Sequence, residues 1–187
     1  MVQAQVQDVR TEMIRMVTSY VTPEMEGAVG QVYERLVSFP VSESDIRRWA
    51  IAVYYPDPPP RQFWDGEFAA GTRHGGIVAP HEFNPFAWMT AVPERRPALI
   101  DAEAIHQSET LLGIEPPPLN QGLNGGLEVE YHKRIRPGDV ITSEAKLVSY
   151  NEREGKLGHM LISRTEATWT NQRAELVKRS YFTLIRY

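Results

Sequence analysis

At 187 residues the chain suits one globular domain or one decorated small fold, and 42% hydrophobic with 24% charged residues sets it apart from disordered sequences. A net charge of -4 argues against a nucleic-acid partner, because phosphate backbones need a basic surface. Cys 0 excludes disulfides, thiolate metal sites and a cysteine nucleophile.

In chain order, residues 1–20 place Val6, Val9, Met13, Met16 and Val17 at helical spacing, which predicts an amphipathic helix. Asp8 and Glu12 stand where a signal peptide needs an apolar core, and no apolar run approaches the ~20 residues of a membrane span. A cytoplasmic setting is therefore expected, with no membrane partner. Thr22-Pro23 is read as the end of that helix, with Gly27 and Gly30 in a loop. Residues 32–39 read as a short strand. Ser42 with Asp45 three positions on gives a capping-box pattern for a second helix through Ile46, Trp49, Ala50 and Val53. Pro56 and Asp57-Pro58-Pro59-Pro60 must end it.

Residues 80–91 are apolar, with Phe83, Phe86, Ala87 and Met89, and predict a short buried helix beginning near Glu82. Residues 93–121 are charged and proline-rich, a surface excursion with a short helix over 102–112. The tail reads as strands at 127–132, 140–150, 160–170 and 177–186. Turn residues separate them at Pro137-Gly138-Asp139, Glu154-Gly155-Lys156 and Asn171-Gln172-Arg173. Helical pieces followed by an antiparallel meander make an α+β layout. The expected organisation is an N-terminal helical extension over 1–29 and one domain over 30–187.

Several general motifs are absent. Gly71-Thr72-Arg73-His74-Gly75-Gly76 has the wrong spacing for a dinucleotide loop, and no GxSxG elbow occurs. His81-Glu82 begins like a zinc-protease motif, but Pro85 occupies the second histidine's place, so no metal is expected. His106, His132 and His159 are scattered and read as surface histidines.

Three stretches carry a family resemblance: His74-Gly75-Gly76-Ile77-Val78-Ala79-Pro80, Leu123-Asn124-Gly125-Gly126-Leu127-Glu128-Val129-Glu130-Tyr131-His132, and Arg136-Pro137-Gly138-Asp139. Together they resemble the MaoC-like dehydratase superfamily of hot-dog folds, above all its FAS1-like dehydratase, N-terminal half-domain type, over residues 30–187. The resemblance implies an antiparallel sheet wrapped around a central helix. It also implies addition or removal of water at the double bond of an acyl thioester, with no cofactor.

That reaction needs a base to hold water, a donor to place it or deliver a proton, and backbone N–H groups to take charge on the thioester oxygen. In the family an Asp and a His in a Gly-Asp-x-Asn-Pro-x-His loop supply the first two. Laid onto this chain, Trp49-Ala50-Ile51-Ala52-Val53 resembles the helix before the loop, and Pro56 and Pro58 keep its frame. Tyr55 then stands at the Asp position and Phe63 near the His position, with Asp65 at an acidic position that follows. A shifted alignment puts Asp57 at the acid position, without a histidine after it. The resemblance therefore implies a degenerate site.

His74 is the other catalytic candidate; we favour its packing at a loop bend. Gly75, Gly76, Ile77, Ala79 and Pro80 are expected to border the substrate, since a glycine pair lets backbone approach a ligand. Tyr54, Tyr55, Phe63 and Trp64 could line an acyl pocket, meet another subunit, or form a local mini-core, and the sequence leaves the three open. Gly125-Gly126 and Arg136-Pro137-Gly138-Asp139 read as backbone devices.

A lone hot-dog exposes a sheet edge, so a homo- or hetero-oligomer with another hot-dog chain is expected. The expected role is a subunit of an (R)-specific enoyl-CoA hydratase or 3-hydroxyacyl-thioester dehydratase, acting on coenzyme A or carrier-protein thioesters, whose partner supplies the Asp/His pair. A hot-dog thioesterase using Glu82, and a non-catalytic acyl-thioester-binding or structural subunit, are the alternatives.

Overall fold

The Ser42 capping box forms as its spacing predicts: the Ser42 hydroxyl accepts from the Asp45 amide at 3.1 Å, and the Asp45 carboxylate accepts from the Ser42 amide at 3.3 Å. The computed structural model describes residues 19–87 and 102–187. The N-terminal helix expected over 1–20 therefore lies almost wholly outside the described residues.

The described elements are α1 (Pro23–Gly27), β1 (Val32–Val37), α2 (Glu43–Tyr54), α3 (Gly66–Ala70), α4 (Gln107–Leu112), β2 (Gly122–Tyr131), β3 (Thr142–Gly155), β4 (Gly158–Thr170) and β5 (Leu176–Arg186). One antiparallel five-stranded sheet runs in the order β1-β3-β4-β5-β2. Only β3, β4 and β5 form the expected meander. β2 crosses to pair with β5, and β1 closes the other edge against β3.

Thr22-Pro23, read as a helix end, also begins a helix, and Gly27, read as loop, is the last residue of α1. Thr22 caps a new helix, its hydroxyl accepting from the Met25 amide at 3.3 Å, with Pro23 in the first turn. Proline lacks the N–H that the first turn leaves unpaired anyway, so Thr-Pro starts a helix as readily as it stops one. Met25 drops into a small core with Leu119 and Leu161.

The helix expected to begin near Glu82 does not begin there. Residues 81–86 form turns, and the Asn84 side chain accepts from the Phe86 amide at 3.0 Å. Asn84 thus caps a turn with Pro85 at its first position, which moves any helical start past Glu82. The remainder of that expected helix, from Trp88, lies outside the described residues.

The main core joins the two ends of the chain. Ile46 and Ala50 from α2 meet Phe63, Val78, Ala79, Phe83, Ile135, Ile141, Trp169 and Val177. Trp49 packs edge-on to Phe83, and Phe86 edge-on to Trp169. β2 is the exception to burial. Leu127 and Tyr131 are exposed although they alternate with Glu128 and Glu130, so the apolar face of this edge strand is uncovered within one chain.

Gly125 and Gly126 lie within β2 at a bulge rather than at its start. A side chain on Gly125 would meet Thr183 Cγ2 at 2.9 Å, and Gly126 has φ +137°.

The excursion expected over 93–121 is, where described, no loose surface loop. A 3-10 turn (Ala102–His106) leads into α4, whose Glu109 is fully buried. Arg186 from the end of β5, equally buried, donates to the Glu109 carboxylate at 2.8 Å, to the Ile105 carbonyl at 3.1 Å, and bonds His106 Nδ1 at 3.1 Å. The Tyr150 hydroxyl donates to Glu109 at 2.6 Å and the Ser108 hydroxyl at 2.9 Å. His106 is therefore an interior ligand of this network rather than a surface histidine.

Candidate functional site

The proline-rich loop leaves α2 at Tyr54 and does not present a matched pair of side chains. Tyr55 is 80% exposed, whereas Phe63 is 3% exposed and belongs to the core. Tyr54 lies against Phe63 with ring centroids 6.0 Å apart. Trp64 is half-exposed and ties its indole N–H to the Pro59 carbonyl at 3.0 Å. Of the three readings left open, a local mini-core describes Tyr54 with Phe63; Tyr55 takes no part in it.

Asp57 is exposed, and its amide closes a turn on the Tyr54 carbonyl at 2.8 Å. Asp65 is the N-cap of α3, accepting from the Phe68 amide at 3.0 Å and from Arg61 at 2.6 Å. The Phe68 amide and then Arg61 hold its carboxyl below the usual range, so Asp65 stays an anion with a structural task.

α3 delivers the chain to His74, and the next residues run into the core. Gly75 has φ +64° and Gly76 φ +152°, conformations that side chains resist, so the pair permits the sharp entry. Ile77, Val78 and Ala79 are then buried. The Ala79 amide donates to the Ile135 carbonyl at 2.9 Å. The flanking residues clamp the segment: Arg134 donates to the Ala79 carbonyl at 3.1 Å, and Arg136 to the His74 carbonyl. Buried Asp139 accepts from the Arg136 amide at 2.9 Å and so fixes that residue at the mouth of the Pro137-Gly138 turn.

The two expected backbone donors are not equivalent. The Gly75 amide donates to the Thr72 carbonyl at 3.0 Å, whereas no described group accepts from the Gly76 amide. Only the latter is free to face a ligand.

Both nearby histidines are held toward the neutral form. For His74 the cause is burial, then Arg73, Arg134 and Arg136; for His81 it is burial, then Arg134, with Glu82 opposing. The His81 ring stacks at 4.4 Å on Tyr131, and with Arg134, Trp169 and Lys178 the two line a small cleft beside Pro80. Lys178 Nζ sits 3.2 Å from the Trp169 ring centroid, and burial lowers its pKa to about 8.

Glu82 is exposed in a turn, which corrects its reading as a first-turn helix acid. Among the described residues no group of three or more His, Asp or Glu gathers to hold a metal, and no helix is long and apolar enough to cross a membrane.

The structure thus brings Tyr54, His74, Gly76 and Pro80 into one region with Arg134 and Arg136, and leaves Tyr55 and Asp57 pointing to solvent on the preceding loop. Sequence reading missed Arg134 altogether and took Arg136 for a turn marker. The signal was the alternation Lys133-Arg134-Ile135-Arg136, two cations flanking one core residue.

No curated protein matches the chain. Solved structures that share its fold include three of low identity. The ChsH1-ChsH2 complex from Mycobacterium tuberculosis gives TM-score 0.61 at 19% identity, covering 82% of this chain and 83% of that one. The C-terminally truncated HadBC (3R-hydroxyacyl-ACP dehydratase) complex from Mycobacterium tuberculosis gives 0.52 at 20%, covering 84% and 96%. The (R)-hydratase from A. caviae involved in PHA biosynthesis gives 0.53 at 13%, covering 83% and 94%. At such identities the likeness is one of fold. A family model, "FAS1-like, dehydratase domain region", matches residues 27–180. The chain, a hot-dog fold, therefore belongs to the FAS1-like dehydratase domain region family.

Proposed function

We propose that this chain is a subunit of an (R)-specific enoyl-CoA hydratase or 3-hydroxyacyl-thioester dehydratase, shaping the acyl pocket while a partner hot-dog chain supplies the Asp and His. The observation that carries the reading is the pairing of family membership with a loop unfit for acid–base work. Tyr55 points to water and Phe63 is a core residue without a titratable proton.

A phenol with pKa near ~10 is a poor base at neutral pH. The chain's own contribution is positional. Ile77 to Pro80 form a buried apolar wall, and the Gly76 amide is free to donate to a thioester oxygen. The uncovered apolar face of β2 supports a partner, since an unpaired edge with Leu127 and Tyr131 exposed is a template for a second sheet. The ChsH1-ChsH2 and HadBC structures are both complexes.

The complex isolated from the native source decides the chemistry. Incubation with a trans-2-enoyl-CoA should bleach the enoyl absorbance without releasing thiol. Release of free thiol from an acyl-CoA would make it the thioesterase instead. Binding with neither change would make it an acyl-thioester-binding subunit.

A further inference from the structure

The far half of β3 has a strand on one side only. β1 pairs with β3 from Thr142 to Lys146, so from Ser149 to Gly155 β4 is its sole strand partner among the described residues. The strap Ser19–Val21, which leads into α1, meets that stretch without a backbone hydrogen bond to any described strand. Its polar hold on the sheet is one side chain. The Glu152 carboxylate accepts from the Ser19 hydroxyl at 2.7 Å and from the Tyr20 amide.

His159 of β4 stands behind that carboxylate. Its Nε2 bonds Glu152 at 3.2 Å and its Nδ1 bonds Glu154 at 2.8 Å, while the Tyr20 ring lies tilted against it with centroids 5.0 Å apart. A carboxylate only accepts, so both ring nitrogens must donate, and only the imidazolium carries both protons. A neutral ring keeps one N–H and turns a lone pair toward the other carboxylate.

Burial opposes the charge on His159, but hydrogen bonds and charge from Glu152 and Glu154 outweigh it and raise its pKa above 6.5. Burial likewise opposes the Glu152 anion, and bonds from Ser19, Tyr20 and His159 outweigh it and hold that pKa below 4.5. Glu26 of α1 lies across a cavity of about 560 Å³ that the strap, Tyr150 and Glu152 help to wall. Arg153 and Lys156 complete the charges of the β3–β4 hairpin.

We propose that His159 works a proton-controlled latch: its imidazolium holds Glu152 in place to fasten the strap, and loss of the proton frees the strap and opens the cavity it walls. The raised pKa of His159 sets the direction. The hold is complete below about pH 6.5 and is lost as pH rises through the higher folded value, with Glu152 an anion throughout that window.

The test is amide hydrogen exchange of the full chain between about pH 6 and 9, read by mass spectrometry as protection relative to the unstructured rate at each pH, with NMR titration of the His159 ring alongside. Protection of the Tyr20–Val21 segment should fall ~5-fold or more as pH rises through the His159 midpoint, while that of Leu161, buried in β4, stays constant. His159→Gln cannot titrate, and should leave the strap poorly protected at every pH with Leu161 unchanged. Glu154→Gln keeps the ring but removes one carboxylate, and should move the His159 midpoint and the loss of strap protection to lower pH together.

Strap protection that stays level through the His159 midpoint overturns the proposal. So does a pH-dependent loss that persists in His159→Gln, or a midpoint at or below 6.5. If His159→Gln also costs Leu161 its protection, Glu154→Gln decides: a ring midpoint that moves without the strap overturns the latch, and the two moving together support it.

Discussion

Glu109→Leu should be among the most damaging single substitutions in the chain, although the residue lies in a segment that reads as surface. The change leaves Arg186, whose side chain is 1% exposed, as an uncompensated buried cation. It also strips the Tyr150 and Ser108 hydroxyls of their acceptor. Breaking a buried pair from one side costs about 3–5 kcal/mol. For 187 residues, at ~2.1 cal/mol/K each, that lowers Tm by roughly 8–13 °C. Glu109→Leu with Arg186→Met removes both charges and should recover most of the loss, ending within about 1–3 kcal/mol of wild type because the two hydroxyls and His106 Nδ1 lose their partners while His106 Nε2 keeps the Leu119 carbonyl.

Denaturant unfolding of the two singles and the double closes the cycle, with an expected coupling of at least ~2 kcal/mol. The same network gives a pH signature. Burial raises the Glu109 pKa, but hydrogen bonding and charge from Arg186, then Tyr150, outweigh it and hold the pKa below 4.5. A depressed acid stabilises the fold above its unfolded pKa. That share is therefore present above about pH 4.5 and lost as pH falls through the lower folded value. A single variant costing under ~1 kcal/mol, or a double that sums the two singles, would refute the buried-pair argument.

Three further outcomes are expected. Tyr55→Phe should leave the activity of the complex within a few-fold, because an exposed phenol on the proline loop does no proton transfer; a ~100-fold loss in the enoyl assay would restore it as an acid or base. Gly76→Val forces a branched residue to φ +152° and should lower stability by about 1–3 kcal/mol, with its side chain close to Arg136 Nη1; an unchanged unfolding midpoint would show that the turn can relax. Lys178 should titrate near 8 rather than 10.5 by NMR. Since the unfolded chain keeps that proton longer, stability should rise with pH between those values, and a flat profile there, or the same rise in Lys178→Met, would contradict the burial argument.

Local signals were legible where one residue decides a local geometry. Ser42 with Asp45 started α2, Pro56 stopped it, and alternation found each strand of the tail. Strand order was not legible, because β2 pairs with β5 through side chains that look alike on any amphipathic strand. The helix that begins at Pro23 was missed because Thr-Pro was read only as a stop, although proline also suits a first helical turn. The Glu109–Arg186 pair was invisible for a physical reason: charged residues read as surface, and a buried partner 77 positions away leaves no local trace. The candidate site was half legible. Gly75-Gly76 marked the backbone entry, but Arg134 and Arg136 clamp the Ala79 and His74 carbonyls from 55 and 62 positions away, which leaves no local trace.

On this reading the chain depends on a partner for its acid and base. This dependence is tested most directly by following trans-2-enoyl-CoA absorbance with the purified chain alone and then in the complex from its native source. The chain alone should give no hydration above background, and a complex containing a second hot-dog chain with an Asp-x-Asn-Pro-x-His loop should hydrate the enoyl-CoA. Hydration by the chain alone, at the rate of the complex, would contradict it.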